Sequence, residues 1–437
     1  MTPEDLQGSS WAEDSGWPIR AEDLHPYYAR ASKIHKGPAP EDYAQWKTAP
    51  NTNASNTRLK PVSVYWLDSG QLDFSQTIGK VIAKSETITV FLQCTATNVV
   101  LTDDLSRVAY LEAQSKQGQK TTRVVAREYV LASGGIENAR LMLASNGQMK
   151  NGIGNTYDIV GRYYIDHPGG SVAMVTLNRG KTFPDDFGMA LPQNGRHRMD
   201  IGSYMTPQTR KDGRFVNSYF VWRAALDVVP TAEIRKLFST LVLIKHRPSH
   251  VKLYAELLCD LFKVQKILAV RYLWFLVSKK AGLRGPDRKF RINYHIEMAP
   301  DSENRVTLSD KSDPLGRPLS KVRWKVSEAE LQSILKLHDE IQTLLDGTGA
   351  GTLSWDAGRP PKTDELPYSS ASHHMGTTRM GKDPENSVVD EECQVHGIGN
   401  LHIAGSSVFP TGGFSNPTFT IVALAIRLAD RLKVKLL

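Results

Sequence analysis

The stretch HHMGTTRMG, residues 373–381, sets two histidines beside small, hydroxylated and thioether residues between glycines. A neutral imidazole accepts a proton from an alcohol near pH 7, and Gly376 and Gly381 let backbone approach a ligand closely. Adjacent residues of an extended segment point to opposite sides, so at most one of His373 and His374 faces a given pocket. A loop of this composition also serves plain hydrogen bonding, with Arg379 in an ion pair and Met380 as a core plug. Two small-residue turns, LASGG (131–135) and AGSSVFPTGG (404–413), follow strand-like runs. Turns of that kind present backbone N–H groups to a phosphate or another anion. The last helix, NPTFTIVALAIRLADRL, opens with Asn416 as N-cap and Pro417 at its first position, where the missing N–H costs nothing. Its N-terminus offers the positive end of the helix dipole to negative charge.

These groups need a scaffold. At 437 residues, with 40% hydrophobic and 23% charged residues, the chain has the composition of a folded protein of two or three domains. Residues 1–60 carry turn signals around one short helix and read as a lead wrapping the surface. From residue 61 to about 145, β-branched runs alternate with polar turns, closing with a strand, the LASGG turn and a helix. Residues 168–235 alternate in the manner of antiparallel strands. The segment SEAELQSILKLHDEIQTLLDG is an amphipathic helix opening at Ser327 with Glu330 three residues on, and stopping at Gly347.

The net charge of +8 is local, because residues 235–291 hold 14 Lys and Arg against Glu256, Asp260 and Asp287, leaving the remainder of the chain at −3. This excludes a nucleic-acid partner for the protein as a whole. The segment itself fits either a helix with a solvated face or a surface for a membrane or partner subunit. Cys94, Cys259 and Cys393 lie far apart without metal-ligand spacing, so neither a disulfide framework nor a metal site is expected. No signal peptide or spanning helix is readable, which makes the cytoplasm the expected location.

The order HHMGTTRMG, SVVD, VHGIGNLHIAGSSVFPTGG and NPTFTIVALAIRLAD resembles the C-terminal signature of the glucose-methanol-choline (GMC) flavoprotein oxidoreductases. EYVLASGGIENARLMLAS (128–145) is similar to that family's second flavin-domain signature. DIVGRYYIDHP (158–168), APDSENRVTLSDKSDPLGRP (299–318) and SGWPIRAEDLHPYYARA (15–31) resemble further blocks of it.

The resemblance implies an α/β plus α+β fold, an FAD/NAD(P)-binding Rossmann-like domain joined to an antiparallel-sheet substrate domain. Residues 61–167 and 356–437 would form the first and 168–355 the second. It implies FAD as cofactor, His373 as catalytic base with His374 ranked second, and Asn416 as the partner that orients the substrate hydroxyl. A base and an orienting group suit alcohol oxidation, in which oxygen loses a proton and carbon loses a hydride to flavin N5. Ser133, Gly134, Gly135, Ala404, Gly405 and Ser406 would line the pyrophosphate and isoalloxazine. Val99 would touch adenine through its backbone, and Pro417 and Thr418 would face the flavin's N1/C2=O edge. The substrate would be a sugar, polyol or other alcohol, and the electron acceptor oxygen, a quinone or a redox protein.

The family's opening Gly-x-Gly-x-x-Gly turn has no counterpart, since GIGNTY (152–157) lacks the third glycine and GTGAG (347–351) follows a helix. The Rossmann-like domain is thus expected to be incomplete here. A fragment, a unit supplied by another polypeptide, and a flavin-free binding or subunit-interaction protein all fit that gap. The retained His373, Arg379 and Asn416 favour the first two.

Overall fold

The computed structural model describes residues 3–8, 12, 15–35, 58–66, 73–75, 78–115, 120–178, 180–181, 198–224, 254–259, 261, 265 and 289–437. Helix α1 (Ala21–His35) is followed by strands β1 (Leu59–Trp66), β2 (Cys94–Leu101), β3 (Val108–Ser115), β4 (Thr121–Val124) and β5 (Tyr129–Leu131), then helix α2 (Gly134–Ala144). Next come β6 (Pro168–Gly170), β7 (Ala173–Leu177), β8 (Arg198–Met205), β9 (Ser218–Ala224), β10 (Lys289–Ile296), β11 (Arg305–Ser312) and β12 (Pro318–Arg323). Helix α3 (Glu328–Thr348), β13 (Gly351–Trp355), β14 (Ser369–Ser370), β15 (Leu401–Ile403) and helix α4 (Thr418–Leu436) complete the order.

Strict alternation builds the larger layer. In β10 every second residue, Phe290, Ile292, Tyr294 and Ile296, is buried, as a sheet with one covered face demands. The sheet has eight antiparallel strands, running β1-β8-β9-β10 and then, beyond β10, the pairs β6–β14 and β7–β13. Helix α3 covers it, setting Leu337, Ile341, Leu344 and Leu345 against Ala173, Val175, Phe220, Trp222, Phe290 and Ile292. Its start is the expected capping box. The Ser327 hydroxyl accepts from Ala329 N at 3.2 Å, while Glu330 accepts from Ser327 N at 2.6 Å and from Ala299 N at 2.7 Å. The helix runs through Gly347 and ends on Gly349, whose φ of 57° supplies the left-handed cap, two residues past the expected stop.

The second layer centres on the parallel pair β5–β15, flanked by α2, α4 and α1, with β2-β3-β4 as a separate antiparallel sheet. Tyr129 and Leu131 of β5 are buried, but Val130 between them is 42% exposed, and among the described residues no strand pairs with its outer edge. This is a Rossmann-like layer with two parallel strands.

Two expected boundaries need correction. Strand β1 pairs with β8, Leu59 opposite Met205, so it belongs to the large antiparallel sheet and not to the second layer, which starts near Cys94. The lead is no mere wrapping either. Leu6, Trp17, Ile19, Leu24 and Tyr28 join the core of the second layer, Tyr28 stacks on Phe419 at 5.3 Å, and Trp17 Nε1 donates to Thr411 Oγ1 at 2.9 Å. An apolar helix face and a tryptophan buried there stabilise more than a surface strap would. Most of the basic segment 235–291 lies outside the described residues. Among those described, no helix is long and apolar enough to cross a membrane.

Candidate functional site

Strand pairing brings the key histidine to a partner 206 residues away. β6 pairs with β14, Pro168 opposite Ser370 and Gly169 opposite Ser369, which sets His167 and His373 side by side just beyond the paired residues. Their Nδ1 atoms are 2.9 Å apart with the rings edge to face, and the other nitrogen of His167, Nε2, lies 2.8 Å from the Gly413 carbonyl. Asp166 organises the backbone around them. Its fully buried carboxylate accepts from His167 N at 2.7 Å, from His373 N at 2.9 Å and from the Ser370 hydroxyl. Ser370 Oγ in turn accepts from Ser372 N at 2.8 Å, and Ser372 takes a φ of 62° to complete the loop.

His374 turns the other way, as adjacent extended residues must. Its ring is tilted toward Tyr164, 5.9 Å between centroids, with Nε2 4.0 Å from Asp166. Arg379 lies over the Tyr163 ring at 4.2 Å, a cation–π contact, and Met380 is a core residue.

Burial holds both paired imidazoles neutral. The pKa of His373 is lowered chiefly by desolvation, with Asp166 opposing, and that of fully buried His167 is pushed down to about 3 by burial and then by neighbouring His373 and His295. Beneath Gly413, Glu297 accepts from Gly413 N at 2.7 Å and from Asn217 N at 3.3 Å. Burial, with the Asp5 charge adding, pushes the Glu297 carboxyl up to about 7.

The small-residue turns meet this loop directly. An added Cβ on Gly135 would sit 2.1 Å from the His374 carbonyl oxygen, and the Ser406 hydroxyl donates to that same oxygen at 2.7 Å. Thr377 Oγ1 donates to the Gly135 carbonyl at 2.5 Å. Gly134 and Gly405 differ, with φ of 92° and 120° and open space where a Cβ would be. Both follow the carboxyl ends of the parallel strands, the place where nucleotides bind on open α/β sheets. Asn138, fully buried, ties the two turns by accepting from Ser133 N at 2.7 Å and donating to Ser407 Oγ at 3.0 Å. Ala404 N donates to Leu131 O at 2.8 Å.

Three expected residues are placed differently. Helix α4 has Pro417, not Asn416, at its N-cap, since the Pro417 carbonyl takes the Ile421 N–H at 2.9 Å. Asn416 lies one residue before that position, and no side chain caps α4. The N–H groups of its first turn, beginning at Thr418, are therefore left without a side-chain cap. Val99 donates its N–H to Ser145 Oγ at 3.0 Å, which leaves only its carbonyl on that edge.

The sequence reading missed His167, Asp166, Glu297 and Asn138. Asp166 and His167 stand in the quoted IDHP block, where an acid and a base beside a proline were the available signal. Glu297 and Asn138 had none, since their roles depend on contacts distant in the chain. Among the described residues no group of three or more His, Cys, Asp or Glu is arranged to hold a metal.

Residues 300–425 match the family model described as GMC oxidoreductase. The chain is 27% identical over 333 residues to the fructose dehydrogenase large subunit of Gluconobacter japonicus, covering 75% of this chain and 51% of that protein. It is 26% identical over 314 residues to paromamine 6'-oxidase of Streptomyces fradiae, covering 71% and 46%. The chain thus spans about half the length of these curated relatives. Among solved structures, an FAD-dependent oxidoreductase from Chaetomium thermophilum superposes with a TM-score of 0.53 at 14% identity, over 99% of this chain and 84% of that one. Pyridoxine 4-oxidase from Mesorbium loti gives 0.51 at 14%, over 94% and 70%. At such identity the likeness shows a shared fold.

Proposed function

We propose, for a chain that carries a GMC oxidoreductase C-terminal domain over residues 300–425, that it is an FAD-dependent oxidoreductase acting on the CH–OH group of a sugar, polyol or other alcohol. The observation that carries this reading is the clamp between the His373–His374 loop and both turns at the carboxyl ends of the parallel strands.

The residues present fit a flavin nucleotide. Gly134 and Gly405 keep left-handed backbone beside open space, and the first turn of α4 has no side-chain cap, so backbone donors remain for an anionic ligand. Ser133, Gly134, Gly405 and the α4 start at Pro417 and Thr418 are the groups that would hold it. Gly135, Ala404 and Ser406 are committed to packing and to hydrogen bonds that shape the turns. When bound, FAD supplies the two-electron acceptor for the hydride of the carbinol carbon.

The chain's own residues do the rest. His373, kept neutral by burial, accepts the hydroxyl proton on an imidazole nitrogen. Asn416, which makes no cap bond to α4, would orient the same hydroxyl with its amide and narrow the reactant's orientations. Asp166 holds the His373 backbone fixed, and the α4 N-terminus favours negative charge in front of it. The names of the relatives, fructose dehydrogenase and paromamine 6'-oxidase, support a polyhydroxylated substrate. The former is called a large subunit, and residues 235–291, at +11, are the part of this chain suited to a partner subunit or an anionic membrane surface.

The test is flavin titration of the purified chain, followed by a sugar and polyol panel with a dye acceptor. Saturable FAD binding and dye reduction that His373→Ala abolishes are expected. Absence of flavin binding, or unchanged turnover in His373→Ala, would overturn the reading.

A further inference from the structure

His167 is buried at 1% exposure and spends both ring nitrogens on defined partners. Those two contacts have a direction. A carbonyl oxygen only accepts, so the 2.8 Å contact to Gly413 requires a proton on His167 Nε2. The ring orientation is fixed as well, because a flipped imidazole would set carbon atoms against both partners. A neutral imidazole with Nε2–H has a bare Nδ1, and the 2.9 Å Nδ1···Nδ1 contact then needs its proton from His373. A cationic His167 would reverse the second bond, but burial of the ring, and then His373 and His295, oppose that charge, and the Gly413 bond and Asp166 are too weak to restore it.

We propose that His167 is a positioning residue that sets the tautomer of His373. Anchored through Nε2–H on the Gly413 carbonyl, it accepts the Nδ1 proton of His373 and leaves Nε2 as the one basic nitrogen of the His373 ring. The anchor is stiff. Glu297 holds Gly413 by its N–H at 2.7 Å, and Gly412 is packed so closely that an added Cβ would lie 3.0 Å from His167 Nε2. Neutral imidazole otherwise favours the Nε2–H form, which would bury the lone pair at Nδ1 and turn a donor toward the substrate. In the wired form, proton uptake at Nε2 gives an imidazolium whose Nδ1–H bond to His167 is charge-assisted, so the contact strengthens as the proton arrives. The inference rests on His373 being the base, but the tautomer itself can be read without turnover.

The experiment is long-range 1H–15N correlation spectroscopy of histidine-labelled protein at pH 8, without substrate or added flavin, with the His373 signals assigned by their loss in His373→Asn. The wild-type ring is expected to show the downfield, unprotonated nitrogen at Nε2. In His167→Ala that signal moves to Nδ1, and in His167→Asn, whose amide oxygen can still accept, the wild-type pattern persists. A wild-type His373 in the Nε2–H form would overturn the inference whether or not either variant folds. So would an unchanged pattern in a His167→Ala protein that keeps its native circular dichroism. Wild-type wiring in a protein that never binds flavin would leave the inference standing and remove the proposed reaction instead.

Discussion

Replacing Asp166 tests how the His373 loop is held. The carboxylate is fully buried and accepts three bonds, from His167 N at 2.7 Å, His373 N at 2.9 Å and the Ser370 hydroxyl. Asp166→Ala removes every acceptor at once. A buried donor left without a partner costs about 1–3 kcal/mol, so three set a ceiling of about 9 kcal/mol. Water entering the space and relief from burying the charge lower that to about 3–5 kcal/mol. Against a typical total stability of about 5–15 kcal/mol this is a large share. Asp166→Asn keeps one acceptor oxygen, enough for the two backbone N–H groups that share Oδ1, and loses only the Ser370 bond, about 1 kcal/mol. Urea unfolding read by circular dichroism, with unchanged m, measures both. The charge adds a second readout, since Asp166 raises the His373 pKa against desolvation. Its removal in Asp166→Asn should shift the acidic limb of any pH–rate profile to lower pH. Equal stabilities for the Ala and Asn variants, or a limb moving to higher pH, would refute the account of the loop.

Other expectations follow from single contacts. His338 is buried with Nδ1 2.7 Å from the Ile334 carbonyl and its pKa pushed down to about 4, so the unfolded chain takes up a proton near pH 6.5 that the folded chain refuses until pH 4. Stability from this group is therefore whole above pH 6.5 and is lost as pH falls toward 4. His338→Met should flatten the stability–pH slope in that window by up to about 1.4 kcal/mol per pH unit, measured by urea unfolding at stepped pH. Gly135→Ala should destabilise by more than about 2 kcal/mol, because its Cβ would strike the His374 carbonyl. Gly134→Ala, strained but unobstructed, should cost about 1 kcal/mol and weaken FAD binding more than its thermal shift suggests. Asn416→Ala should change stability by less than about 0.5 kcal/mol, since it caps nothing, while lowering turnover.

What was legible in the sequence was local. The capping box at Ser327 and Glu330 spans three residues and is present as read, and the alternating strands of 168–224 and the small-residue turns stand where the patterns put them. His373 and His374 diverge as neighbours in an extended chain must. Most of the misreadings share a cause in sequence distance. β1 looks like any β-branched run, and only Met205 and its neighbours decide which sheet it joins. Trp17 reads as a lead residue until Thr411 is beside it. The pairing of His167 with His373 depends on β6 meeting β14, which no spacing along the chain encodes. The cap of α4 lies one residue later than the sequence pattern puts it, at Pro417, whose carbonyl takes the Ile421 N–H.

The short strand β5 has a bearing on how the chain behaves in solution. Among the described residues the parallel pair leaves the outer rim of β5 unpaired, beside the 42% exposed Val130. Val125, 77% exposed, and Val434 and Leu437, 77% and 98% exposed, add uncovered aliphatic surface in the preceding segment and at the end of α4. An uncapped rim with aliphatic surroundings is a template for any extended peptide, including one from an identical molecule. Pairing of an extended segment along that rim would cover Val130 and satisfy its peptide groups.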